Sequence, residues 1–262
     1  MRQDVLNLLD DLAAQERGGI TTAEVRQRLE MSEQSASNLM SRLVHAGFLD
    51  RVARGVFAPR PLGQLGTRAA SQDIVLAVAA AFADEPHRIA FRSALDHHGL
   101  LVHPARTVQI ALPRRVKLEH ISGRRLQAIH ESSQTIAIGS EQAGHGAAVS
   151  CVERALLESA ARPTLVGGWT VVASALKQAR VNPAKLTELA SELDAGQAIR
   201  RLGSLSEVLG HDQIAASLSP PARDARVLPL DPQAPSEDPW TDKRWRVRWP
   251  TSQRGSRELI ST

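Results

Sequence analysis

The sequence predicts an α+β protein: an N-terminal winged helix-turn-helix, a mixed α+β C-terminal domain, and an extended tail containing Pro and Trp. Three observations carry this. In the first sixty residues, three stretches with helical hydrophobic spacing are followed by two short β-rich runs. After residue 68, short strands come first and helices later, the order of an α+β domain. From residue 219 onward, seven prolines and three of the four tryptophans interrupt any regular pattern. The boundaries fall at 1–60 for the winged helix unit, 61–68 for a linker, 69–218 for the α+β domain and 219–262 for the tail.

Val5, Leu8, Leu9 and Leu12 recur at helical spacing, and Gly18-Gly19 stops that first helix. Thr21 followed by Glu24 is a capping box, in which the hydroxyl accepts from an early amide while the carboxylate reaches back. It starts a second helix over about 22–29. Glu30-Met31 makes a tight turn, and Ser32 is a good N-cap for a third helix to about Ala46. Ala36, Leu39, Met40 and Leu43 share its apolar face, and Gly47 closes it. Two strand-like runs at 48–52 and 55–58 then form a hairpin. Pro59, Pro61, Gly63 and Gly66 mark the linker. In the second domain, 74–82 and 93–98 read as helices, and Thr107–Leu112, 126–129 and 135–138 as strands. Ser150 is positioned to cap a helix to about Ala160, and 169–179, 184–193 and 197–209 make a helical end. The segment 245–249 is a candidate strand anchored by its indoles.

Composition bounds the function. Apolar residues are 42 % and charged residues 23 %, enough for a globular core, and the net charge of +4 permits a polyanionic partner. The single cysteine, Cys151, excludes an internal disulfide or a zinc–thiolate cluster. Residues 1–15 lack the basic flank and apolar run of a signal peptide. The longest apolar run, 74–83, is ten residues, against the roughly 20 that span a bilayer. The expectation is a cytoplasmic protein without membrane contact.

The third helix carries the strongest functional pattern. Opposite its core face lie Gln34, Asn38, Ser41, Arg42 and His45, with no carboxylate among them. Gln and Asn suit the paired donor and acceptor of adenine in the major groove, and Arg suits guanine. Ser35 and Ser37 are small enough for close approach to the sugar–phosphate backbone. Arg51 and Arg54 sit on the hairpin, placed as a wing for phosphate or the minor groove. The competing reading is a solvated helix face. Residues 1–60 are neutral, with eight basic and eight acidic side chains, but 34–60 hold four Arg against Asp50 alone. One copy neutralises few phosphates, so self-association or help from the other domain is expected. Arg114, Arg115, Lys117, Arg124 and Arg125 form a candidate accessory basic patch, with a solvated loop as the alternative.

Catalytic and metal residues are expected to be none, and no cofactor is implied. There is no Walker loop, no Gly-x-Ser-x-Gly elbow and no paired-cysteine spacing. Asp96-His97-His98 reads as a helix end with one packed histidine. The residues two before the four lysines are Arg115, Ala175, Pro183 and Thr241, so the acidic-x-Lys arrangement of restriction-type nucleases is missing.

The winged-helix unit followed by SALDHHGL (93–100), VQIALP (108–113), VERALLESAARP (152–163) and LVGGWTVVASAL (165–176) resembles the AbiEi antitoxins of type IV toxin–antitoxin systems. The resemblance covers about residues 6–209 and leaves out the tryptophan-containing tail. It implies an antitoxin whose N-terminal domain binds inverted repeats of double-stranded DNA at its own promoter and represses the operon. It also implies a C-terminal domain that supports antitoxicity and helps cooperative binding through its basic surface. The toxin opposed in such systems resembles a nucleotidyltransferase, and the opposition often needs no stable complex. The alternative function is a stand-alone winged-helix transcriptional regulator whose C-terminal domain senses a small ligand or partner.

Overall fold

A computed structural model describes residues 3–14, 18–60, 65 and 73–261. It is mixed α+β, and it divides into two compact units. The first comprises residues 1–89, 106–136 and 141–149. It opens with α1 (Gln3–Ala14), β1 (Ile20–Thr21), α2 (Thr22–Arg28), α3 (Glu33–His45), β2 (Leu49–Ala53) and β3 (Val56–Pro59). The Thr21–Glu24 capping box is formed in full, and Ser32 accepts from the Ser35 amide at the start of α3. Val5, Leu8, Leu12, Ile20, Val25, Ala36, Leu39, Met40, Leu43, Leu49 and Phe57 close into one core. The three helices and the sheet of order β1-β3-β2 are a winged helix-turn-helix.

The head continues into the rest of its unit. Helix α4 (Ile74–Ala81) starts from an Asp73 cap and packs on β2 and β3. Gly18 and Gly19 are required at that contact, because a side chain at either would overlap Ala79 or Ala80. A six-stranded sheet follows, of order β6-β7-β5-β4-β9-β8. Its strands are β4 (Arg88–Ile89), β5 (Thr107–Leu112), β6 (His120–Ile121), β7 (Arg124–His130), β8 (Ser140–Gly144) and β9 (Ala147–Ser150). Strands β5 and β7 pair in parallel from Thr107↔Arg125 to Leu112↔His130. The wholly buried Arg88 bonds to Glu131 and to the Ile136 carbonyl.

The second unit comprises residues 90–105, 137–140 and 150–262. It holds α5 (Phe91–His97), α6 (Val152–Ala161), α7 (Pro163–Val166), α8 (Trp169–Gln178), α9 (Pro183–Glu192), α10 (Gly196–Leu209) and α11 (Asp212–Ser217). After these come β10 (Leu228–Pro229), β11 (Thr241–Asp242), β12 (Val247–Arg248) and α12 (Gln253–Ser261). Glu158, buried on α6, accepts from the Phe91 amide, the Ser150 hydroxyl and Arg154. Phe91 itself holds a φ of +51°.

Two sequence expectations change. Residues 135–138, read as a strand, lie in a run of turns in which Ser132 Oγ accepts from the Thr135 amide. The strands on this stretch are β8 and β9, joined at His145 and Gly146, both with positive φ. Cys151, not Ser150, takes the N-cap position of α6. The segment 219–262 has only short elements and is exposed over much of its length, with its indoles seated in the interior of its unit. Trp245 and Trp249 are 0 % exposed, Arg200 of α10 donates to the carbonyls of Trp245, Arg226 and Arg246, and Trp249 Nε1 donates to Ser204. The 61–68 linker lies outside the described residues apart from Leu65.

Candidate nucleic-acid interface

Helix α3 buries Ala36, Leu39, Met40 and Leu43, and this fixes which face is left over. At about 100° per residue, Gln34, Asn38, Ser41 and His45 form the spine of the opposite face. Ser37 flanks it on one side, Ser35 and Arg42 on the other. All seven are exposed. Glu33 stands in the first turn, where its charge suits the helix N-terminus, and it lies off the spine. The result is a polar surface about three turns long with no carboxylate along it.

The side chains on this surface are partly organised. Ser32 Oγ donates to Ser35 Oγ at 2.9 Å, so Ser35 belongs to the helix start as well as to the surface. Gln34 Nε2 donates to Asn38 Oδ1 at 3.0 Å. Ser35 and Arg42 also border a groove whose apolar walls are Val5, Met31, Leu39, Leu43 and Phe48.

The hairpin supplies the second part. Arg51 on β2 and Arg54 at its turn are exposed, and the Arg51 guanidinium stands over the Phe57 ring, 5.5 Å from its centroid. Such a cation–π contact orients the guanidinium while leaving its edges free to donate. Gly55, at φ +74°, makes the tight turn that sets Arg54 at the tip. The other half of the local charge is internal. Arg60 and Asp50 form an ion pair at 2.8 Å with side chains 5 % and 9 % exposed. The +3 counted over 34–60 is therefore presented by Arg42, Arg51 and Arg54.

The basic residues of the sheet divide in the same way. Arg114 makes a bidentate pair with Glu85, both bonds at 2.6 Å, which neutralises it and raises its pKa further. Arg115, Lys117 and Arg125 are exposed, and Arg124 is half-buried with a partner of its own. Sequence reading gave no hint of their position relative to the hairpin. The Ser122 amide donates to the Val52 carbonyl at 2.9 Å, so the turn between β6 and β7 caps the outer edge of β2. The strand that follows this turn, β7, begins with Arg124 and Arg125. A pairing of residues 70 apart has no local signature.

The Asp96-His97-His98 triplet is engaged structurally. Asp96 accepts from the Ala105 amide, and His98 Nε2 bonds to the Ser150 carbonyl at 2.7 Å. Among the described residues, no group of three or more His, Cys, Asp or Glu is placed to hold a metal ion. Cys151 is buried, and burial pushes its thiol pKa up, the opposite of what a nucleophile needs. Among the described residues, no helix is long and apolar enough to cross a membrane.

Comparison with known proteins covers both parts of the chain. Residues 7–60 match a family model described as a transcriptional regulator, AbiEi antitoxin, and residues 88–208 match the AbiEi antitoxin C-terminal domain. The two together take in about two thirds of the sequence. No curated protein matches significantly. Among solved structures, the crystal structure of the RV2827C protein from Mycobacterium tuberculosis is similar, at a TM-score of 0.66 and 19 % identity. The match covers 100 % of this chain and 96 % of that one, and it speaks for the fold.

Proposed function

The chain belongs to the AbiEi antitoxin family, and from that premise we propose that it is a DNA-binding antitoxin that represses its own operon. One observation carries the DNA part: the exposed, carboxylate-free face of α3 beside the Arg51–Arg54 hairpin. In this reading α3 enters the major groove. Gln34, Asn38, Ser41 and Arg42 reach base edges or nearby backbone, and Ser35 and Ser37 allow close approach. Arg51 and Arg54 hold phosphate or the minor groove. Three exposed cations per head make a weak single contact, so two copies on inverted repeats are the expected bound form. Arg115, Lys117 and Arg125, exposed in the same unit, add further phosphate contacts. The family membership supports the second role, opposition to a nucleotidyltransferase-like toxin, which needs no lasting complex with it.

The test is a fluorescence anisotropy titration of the full chain against a duplex spanning its own promoter and a scrambled duplex of equal composition. A promoter–reporter fusion is read in parallel. Preferential binding at about 150 mM salt with reduced reporter output supports the reading. Equal affinity for both duplexes with unchanged output removes it. Co-expression with the adjacent reading frame separates the antitoxin from the stand-alone regulator: relief of growth arrest marks the first, and a harmless neighbour marks the second.

A further inference from the structure

The regulator reading places every contact with DNA in the first unit, and the segment beyond residue 218 has no part in it. That segment also lies outside both family matches, which end at residues 60 and 208. Its strands form a sheet of order β10-β12-β11, with β12 central. Burial alternates along the central chain: Trp245, Val247 and Trp249 are 0 % exposed, Arg246 is half-buried and Arg248 is exposed. The inner face is therefore aromatic and the outer face cationic. Thr241 stands opposite Arg248 in the ladder, exposed and uncharged. Arg226 is held beside Arg246 by Arg200, whose Nη2 donates to both of their carbonyls, at 2.7 and 2.6 Å. Lys243 is exposed in the turn between β11 and β12.

Across residues 223–229 and 240–250 there are six cations and two carboxylates, Asp224 and Asp242. Asp242 is internal, taking the Ser204 hydroxyl and the Arg244 and Trp245 amides. Arg244 is neutralised by Glu207 at 2.6 Å. Arg226, Lys243 and Arg248 are exposed and, among the described residues, have no carboxylate partner. Glu237 and Asp238 stand at the far end of β12, where the Glu237 amide donates to the Pro250 carbonyl. Positive charge is crowded at the near end, where burial and the Arg246 charge together hold the Arg200 pKa below its usual value. Such a face calls for a polyanion, and guanidinium forks fit phosphate oxygens. Its indoles are turned inward, so it lacks the stacking platform typical of single-strand sites. These segments hold no Asn or Gln, which favours backbone contact over base reading, and no exposed large apolar residue that could anchor in a membrane. We propose that the outer face of the β10-β12-β11 sheet is a second nucleic-acid site, where Arg226, Lys243 and Arg248 hold the phosphate backbone of duplex DNA without regard to sequence.

The experiment is an anisotropy titration of the full chain against a scrambled duplex and a single strand of equal length, at four or more salt concentrations. The starting chain carries Arg51→Ala and Arg54→Ala, which silences the wing. One variant adds Arg226→Ala, Lys243→Ala and Arg248→Ala together, and another adds Arg226→Lys with Arg248→Lys. Each replaced side chain is exposed, and unchanged melting curves confirm that the variants fold. The alanine variant is expected to lower the slope of log K against log salt on the duplex by about 0.9 for each cation, about 2.7 in all. The lysine variant is expected to keep the slope, as is Arg244→Ala, whose charge Glu207 already neutralises. A fall of less than about 0.9 in the alanine variant, or weaker binding with parallel slopes, overturns the inference. So does a single strand that binds the starting chain as tightly as the duplex. Preference of the wild-type chain for its promoter duplex is read separately, and its absence removes the regulator reading alone.

Discussion

Replacing Arg51 and Arg54 together with alanine tests the hairpin as a phosphate-binding wing. Each Lys or Arg that neutralises a phosphate contributes about −0.9 to the slope of log K against log salt. Two such contacts make about 1.8 of slope per bound chain, which the double variant removes. Raising salt from about 50 to 200 mM then weakens wild type by about twelvefold more per chain than the variant. Folding is little affected, because both side chains are exposed and the Arg51–Phe57 contact is worth about 0.5–1 kcal/mol. The assay is anisotropy at four or more salt concentrations, with circular dichroism melting as the control. An unchanged slope refutes the wing, whatever happens to affinity at a single salt concentration. A lowered affinity with parallel slopes points to a structural role for the hairpin.

Further predictions address the basic patch and the core. Arg115, Lys117 and Arg125 replaced by Ala should lower the slope by up to about 2.7, while Arg114→Ala, already neutralised by Glu85, should leave it unchanged in the same titration. Asp50→Ala removes the buried carboxylate that pairs with Arg60 and should cost about 3–5 kcal/mol in urea unfolding followed by circular dichroism. Gly203→Ala drives a methyl group into the Trp245 indole and should cost about 1–3 kcal/mol, read from the fluorescence melting curve. Cys151 should react with a thiol reagent at pH 8 only slowly in the folded chain and fully in urea, since burial both hides the thiol and raises its pKa. Rapid reaction in native buffer would contradict its placement.

The head was legible because its signals are local. The Thr21–Glu24 box, the Ser32 cap and the spacing of Ala36, Leu39, Met40 and Leu43 all act within four residues or one helix, and they fix the exposed face by exclusion. The parts that were not legible depend on partners far away in sequence. Thr135, Ile136 and Ile138 have strand propensity, but Ser132 turns the backbone there and Arg88 takes the Ile136 carbonyl. The β8–β9 hairpin escaped notice because its outer strand, Ser-Glu-Gln-Ala-Gly, is polar, and its turn uses His-Gly where Asn-Gly is the usual signal. The tail's role depends on Arg200 and Ser204, which lie on a helix some forty residues earlier. Within the candidate interface, residue types were readable, but which cations are exposed was not. Arg60 and Arg42 look alike in sequence, and only the fold shows that one is internal.

The backing of the hairpin sheet by α4, and of its outer strand by the Ser122 amide, has a bearing on experiment design. A fragment ending at residue 60 would uncover Gly18, Gly19 and the side of β2 and β3 that α4 covers, and leave the Val52 carbonyl without its donor. Poor DNA binding by such a truncation would record injury to the winged-helix unit, not a division of labour between two halves of the chain. Point substitutions in the intact protein are the sounder instrument.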